Sequence, residues 1–328
     1  MFLNTFVISA TCLIAAAVLL AGAGCATDSP TPAKGPGARR DSFWIDALEA
    51  EPVDFRAVLQ DLGQARVIYL GEIHSIPRHH ELEKEVLEGL AGQGVSLVLA
   101  MEQFEFFTQP ALDRFNSSAV DLAGLIRESD WDKRWSGHTN YHALVATSRA
   151  HGIPVLALNA RAETIRAIGR HGLASLTPEQ RRELPEQIVT EDPVYERWLD
   201  KVLSVHMAFD PEQMQPAFQA QVARDETMAD RVAAFLNSPA GQGRTAVVIC
   251  GRGHCEFGLG IPARVARRCP GITQRVVLFS ESGDLHLSEQ ERQQSREIEI
   301  SHEFLQQLGR PSGDYFQVSA PAAQPRVR

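Results

Sequence analysis

Five stretches of the chain are nearly unbroken apolar runs rich in β-branched residues: "RVIYLGE" (66–72), "SLVLAME" (96–102), "IPVLALNA" (153–160), "TAVVICG" (245–251) and "RVVLFSE" (275–281). None alternates between apolar and polar positions. Continuous runs of this length are expected of strands covered on both faces, as in a parallel sheet. The segments between them carry helical periodicity. "PRHHELEKEVLEGLAGQG" sets Leu82, Val86, Leu87 and Leu90 on one face and stops at Gly92 and Gly94. "NYHALVATSRAHG" precedes the third run, with Gly152 as its cap. Alternation of strand and helix predicts an α/β fold: a mostly parallel sheet with flanking helices and right-handed crossovers.

Residues 161–236 contain no strand-like run. They include a capping signal at Thr177-Pro178 and the long amphipathic stretch "DPEQMQPAFQAQVARDETMADRVAAFL". This reads as a helical insertion over the C-terminal edge of the strands, and a smaller excursion spans about 104–135. The α/β domain is expected over 42–287. Residues 288–328, rich in Gln, Glu and Arg and ending in "APAAQPRVR", read as a polar extension with a frayed tail.

The polar residues sit where the apolar runs end. Glu72 and His74 follow the first run, Glu102 ends the second, Asn159 the third, and His254 follows the fourth. Ligands of open parallel sheets bind outside the carboxyl ends of the strands, so these residues are expected to share one edge. Two histidines with two carboxylates suit a divalent metal, with Glu72, His74 and His254 as candidate ligands. The same set suits metal-free acid–base chemistry, with Glu72, His74, Glu102 and His254 as catalytic candidates; spacing does not choose between them. Arg224 and Glu226 either lid this site or lie on a solvated helix face. His79 and His80 read as the start of a helix on a solvated face.

Composition narrows the classes. The 328 residues are 44% hydrophobic and 22% charged, with a formal net charge of −9. No basic field is available for nucleic acid. Residues 1–24 carry no charge and hold the run "FVISATCLIAAAVLLAGAG", which ends at Cys25. The run barely reaches the ~20 apolar residues of a membrane span and reads as an export signal. "AGAGC" resembles a bacterial lipoprotein signal, which implies lipidation at Cys25. Ala26 after the cysteine implies the outer membrane, with the domain facing the periplasm. Residues 25–41, including the Pro/Gly/Ala-rich "ATDSPTPAKGPGARR", form a flexible tether. In an oxidising compartment Cys255 and Cys269 are candidates for a disulfide, whereas Cys250 reads as a buried thiol.

"GEIHSIPRHHELEKEVL", "LVLAMEQFEFFTQPALDRF", "YHALVATSRAHGIPVLALNA", "QVARDETMADRV" and "VVICGRGHCEFGLGIPARV" resemble, in content and order, the ChaN-like family of haem-binding bacterial lipoproteins. The resemblance runs from about Phe43 to Ser280. It implies a surface lipoprotein that binds haem or an iron complex in haem or iron uptake, as a homodimer. It also implies kinship with a superfamily of Tiki-type metal-dependent proteases, TraB proteins and erythromycin esterases, whose paired G-x-x-H turns and glutamate map onto His74, His254 and either Glu72 or Glu102. The alternative function is therefore a metal-dependent hydrolase, protease- or esterase-like. Haem iron takes an axial His, Met, Cys or Tyr. Tyr69, Tyr141, Tyr195, Tyr315 and several His and Met, including the adjacent pair His206-Met207, are on offer, and the ligand is unassigned. No C-x-x-C-H motif is present, so haem would be held non-covalently.

Overall fold

The computed structural model describes residues 42–206, 211–280 and 302–319. The leader, Cys25, the tether and Met207 lie outside the described residues. Eight strands form one sheet: β1 (Ser42–Asp46), β2 (Glu51–Val53), β3 (Val67–Glu72), β4 (Leu97–Glu105), β5 (Val155–Asn159), β6 (Thr245–Gly251), β7 (Gln274–Phe279) and β8 (Tyr315–Ser319). Their spatial order is β2-β1-β8-β7-β3-β6-β4-β5. The block from β8 to β5 is parallel throughout. β1 pairs antiparallel with β8 and with β2.

The five apolar runs are the five strands β3 to β7, at the centre and one edge of the sheet. Period-two alternation splits each of them between two cores. Ile68, Leu70, Leu99, Met101, Val247 and Ile249 face one layer, with Leu82, Val86 and Leu87 of the helix Pro77–Gly92 and Leu144 and Val145 of the helix His142–Ala150. Val67, Tyr69, Val98, Ala100, Val248 and Cys250 face the other, with Met228, Ala229 and Val232 of the long helix Pro211–Asn237 and Val265 of the helix Ile261–Arg268. Helices thus cover both faces, as double-sided burial of a parallel sheet requires.

The inserted helices do two jobs. Val222 and Phe218, in the first half of the long helix, pack with Tyr195 and Trp198 around Phe257, just beyond the end of β6. The second half lies on the sheet face itself. The polar extension expected over 288–328 contains more structure than its composition suggests. The helix His302–Leu308 buries Phe304, and β8 inserts between β7 and β1. β1, β2 and β8 escaped the apolar-run criterion because they are short, and the burial of β8 alternates strictly.

Cys250 and Cys255 are buried and all three described cysteines are free thiols, so the Cys255–Cys269 pairing does not form. Among the described residues no helix is long and apolar enough to cross a membrane.

Candidate functional site

Three adjacent central strands create the rim. Glu72, the last residue of β3, pairs in register with Gly251, the last of β6. On the other side of β6, Met101 pairs with Ile249, which sets Glu102 one position nearer the rim. Side-chain alternation then separates the two carboxylates. Glu72 follows the parity of Ile68 and Leu70, and Glu102 that of Val98 and Ala100. They share one edge of the sheet but belong to opposite faces, and each organises its own network.

On the first face, Glu72 Oε1 accepts hydrogen bonds from Tyr141 Oη at 2.7 Å and Gln103 Nε2 at 2.8 Å, and His74 Nδ1 lies 2.9 Å away. Burial alone would push this carboxyl up, but the hydrogen bond from His74 and the nearby His80 outweigh it and hold Glu72 well below the usual carboxylate range. Gln103 reaches this side because it has the opposite parity to Glu102. His74 turns its ring edge to Trp135, with centroids 5.1 Å apart, and keeps 42% of its side chain exposed. Its Nδ1 is held by Glu72, and its Nε2 points over Gly251, 3.1 Å from where a Cβ on that glycine would stand. Glycine at this position gives that nitrogen room, since a Cβ would crowd it.

On the second face, His254 is held from both sides. Nδ1 lies 2.6 Å from Asp225 Oδ1 and Nε2 3.2 Å from Glu102 Oε1. Asp225 also accepts from Tyr195 Oη at 2.6 Å, and Glu102 Oε2 accepts from the Gly251 amide at 2.8 Å. Burial would push the imidazole down, but Glu102 and Asp225 outweigh it and raise His254 to about 10. Burial likewise pushes Glu102 up, and the charge of His254 brings it down to about 2. With a carboxylate on each ring nitrogen, His254 supplies positive charge between them, and neither nitrogen is turned to an open position where a base or a metal ligand would act. The two networks meet at Gly251, where His254 Cδ2 lies 3.7 Å from the same Cβ position that His74 Nε2 approaches.

The strand-end residues Glu72, His74, Glu102 and His254 are thus gathered on one rim. Asn159 joins them as a support, donating to the Glu102 carbonyl at 3.0 Å. Glu226 does not lid the rim. It is buried on the far side of the long helix, where Arg267 at 2.6 Å and Arg268 at 2.7 Å close on its carboxylate. Arg224 is half-buried, and its neighbour Asp225 is the residue that reaches His254. The expectation of a solvated face for His79 and His80 is corrected: they are only 1% and 6% exposed. His79 accepts from the Ile73 amide at 2.9 Å and donates to the Ser280 carbonyl at 3.1 Å, and burial lowers it to about 4, so it stays a neutral strut.

Asp225, Tyr141, Tyr195, Gln103, His80 and Glu83 complete the networks. The Arg-Asp-Glu triplet of the long helix carried a signal for Asp225, since adjacent helical residues point about 100° apart and cannot both lie on one face.

The four tyrosines raised as haem ligands are all spent. Tyr69 bonds Gln274, Tyr141 bonds Glu72, Tyr195 bonds Asp225 and Tyr315 bonds Asp61, each through its hydroxyl. The His206 and Met207 side chains lie outside the described residues. Among the described strand-end residues, His74 offers Nε2 as an open donor.

Residues 58–265, which contain every rim residue named above, match the profile of the family described as "Haem-binding uptake, Tiki superfamily, ChaN". The chain belongs to this ChaN family. ChaN of Campylobacter jejuni, whose structure is described as binding haem cofacially, superposes with a TM-score of 0.62 at 18% identity, covering 85% of this chain and 96% of that one. At that identity the likeness establishes the ChaN fold. The chloroplastic protein RETICULATA-RELATED 5 of Arabidopsis thaliana is 26% identical over 246 residues, 69% of this chain. The ChaN-like chain spans 32% of that relative's length.

The residues present fit haem in one respect that this structure decides. An imidazole can serve haem iron as an axial ligand, and iron-binding histidines characteristically give their other nitrogen to a carboxylate or carbonyl. His74 has that arrangement, with Glu72 on Nδ1 and Nε2 turned toward the open rim.

Proposed function

We propose that this chain is a haem-binding uptake lipoprotein that receives haem or an iron complex at the C-terminal rim of its parallel sheet, with His74 as the residue that meets the iron. The observation that carries this reading is the open Nε2 of His74, held in place by a buried carboxylate within a chain of the haem-binding ChaN family. Haem when bound would supply the iron chemistry. The protein's own residues orient one imidazole and keep two carboxylates ionised behind it. Attachment to the outer membrane through lipidated Cys25, a periplasmic orientation and a homodimer complete the proposal, and rest on the leader sequence and the family likeness.

The test is a titration of haem into the purified mature domain, followed in the Soret region. Saturable binding is expected, with a changed Soret position in His74→Ala and no change in His171→Ala. Absence of saturation at micromolar haem would overturn the haem reading and leave hydrolase chemistry at the same rim as the working alternative.

A further inference from the structure

We infer that Glu72, His80 and Glu83 form a buried site for one divalent transition-metal cation, lying behind His74 on the first face of the sheet. This inference does not depend on haem binding. Donor atoms of the three residues lie within 4.8 Å of one another, and the residues are 1%, 6% and 0% exposed. Glu72 comes from the end of β3, and His80 and Glu83 from adjacent turns of the helix Pro77–Gly92.

The protonation of His80 is fixed by its surroundings. Its Nε2 lies 3.1 Å from the backbone carbonyl of His74, and a carbonyl only accepts, so Nε2 carries a hydrogen. Once an ion displaces the proton on Nδ1, the bared lone pair faces the same point as Glu72 Oε2, 3.0 Å away, and Glu83 Oε2, 3.4 Å away. Three electron-rich atoms therefore converge on one point. Without an ion, protons occupy this point. Burial would push His80 down, but Glu72 and Glu83 raise it to about 10, and burial pushes Glu83 up. Two carboxylate oxygens are still left over. The Glu72 Oε2 contact is close enough for an ion pair but lies outside hydrogen-bond alignment, and both Glu72 Oε2 and Glu83 Oε1 are buried with no hydrogen-bond partner. Leaving a buried polar atom unpaired costs about 1–3 kcal/mol, and more for a charged one.

A metal ion satisfies all three residues together. Neighbouring ligands on an ion with bonds of about 2.1 Å stand roughly 3.0–3.5 Å apart, which is the spacing that His80 Nδ1 keeps to both carboxylates. Two carboxylates and a neutral imidazole also balance a divalent charge. Donation of the second ring nitrogen to a backbone carbonyl is the usual orientation of a metal-binding histidine. Carboxylate plus imidazole selects the Mn²⁺, Fe²⁺ and Zn²⁺ class over soft, thiol-seeking ions. The opposite network offers no comparable site, because His254 is bracketed on both nitrogens and Asp225 is already shared by His254 and Tyr195. The bound ion would hold Glu72 from behind, and the other oxygen of Glu72 holds His74.

The test uses the mature domain, stripped with a chelator and titrated with MnCl₂ while free Mn²⁺ is followed by its paramagnetic resonance signal, then with ZnCl₂ in competition. One ion per chain is expected. Glu83→Gln, which keeps the shape of the side chain, should weaken affinity at least about tenfold, and Glu102→Gln should leave it within twofold. Failure of the unaltered domain to bind either metal stoichiometrically would overturn the inference. So would undiminished binding in a folded Glu83→Gln protein, or a loss confined to Glu102→Gln, which would place the ion on the other face. If Glu83→Gln does not fold, the titration of the unaltered domain and of Glu102→Gln decides alone.

Discussion

Asp225→Asn tests the idea that His254 is a permanently charged strut. Asp225 is fully buried and accepts two hydrogen bonds, from His254 at 2.6 Å and from Tyr195 at 2.6 Å. Asparagine offers one oxygen and an NH₂ group, so one of the two donors must face another donor. The imidazolium keeps only Glu102 as a counter-charge. Removing one partner of a buried ion pair costs about 3–5 kcal/mol, and the surviving Glu102 contact puts the expectation near the lower end, about 3 kcal/mol. At roughly 2–4 °C per kcal/mol for a domain of this size, the midpoint should fall by about 6–12 °C. The cost also carries a pH signature. The groups facing His254 are Glu102, Asp225, Gln221 and, across Gly251, His74. His254 is raised from 6.5 to about 10, so its contribution is complete below pH 6.5 and is lost as pH rises through about 10. Glu102 is lowered from 4.5 to about 2, so its contribution is present above pH 4.5 and is lost as pH falls toward about 2. Urea unfolding of the mature domain at pH 6 should therefore show the full penalty, and at pH 10 a clearly smaller one. A difference below about 1 kcal/mol at pH 6, the scale of one neutral hydrogen bond, or a penalty equal at both pH values, would refute the charged-strut reading.

Three further outcomes are expected. Glu226→Ala should destabilise the fold by about 3–5 kcal/mol, because the buried Arg264 loses a carboxylate 3.4 Å away and Arg267 and Arg268 lose theirs; thermal unfolding checks it, and haem binding by whatever remains folded should be unchanged. Gly260→Ala should yield little folded protein, since Gly260 has φ +62° and an added Cβ would stand 2.3 Å from the His254 carbonyl oxygen; circular dichroism and soluble yield report it. Cys25→Ser should abolish lipid attachment, seen as an altered mature mass and release from the membrane fraction; unchanged partitioning would dismiss the anchor.

The parallel core was legible because double-sided burial leaves an unmistakable trace: β3, β4, β5, β6 and β7 are almost uninterrupted apolar runs. The rim was legible for the same reason, since a polar residue at the end of such a run has only one place to go. The antiparallel edge was not. "EPV" is too short to carry a period, and "YFQVS" alternates between buried and half-buried positions inside a polar tail. The partners of the rim residues were hidden for a different reason. Asp225 and Tyr141 arrive from helices distant in sequence, and no local pattern says which turn of a helix meets which strand end. His80 looked solvated because a histidine among Glu and Arg residues normally is. Its burial follows from its lying at the rim-facing start of the helix Pro77–Gly92, beside Tyr141 at a centroid distance of 4.5 Å.

β1 runs against its neighbours, and that reversal decides at which end of the sheet the polypeptide enters the domain. Because Ser42 pairs with Ser319 at the end of β8, and β8 is parallel to β7, the described chain begins at the same end of the sheet where β3 and β4 deliver Glu72 and Glu102. From β1 to β3 there are three inter-strand steps, about 14 Å at the usual spacing. Whatever acts on the polypeptide upstream of Ser42 acts at the rim end of the sheet and not at the opposite end. A cargo bound on the rim would therefore lie on the same side of the sheet as the point where the polypeptide enters the domain, and anything joined to the chain ahead of Ser42 would approach it from that side.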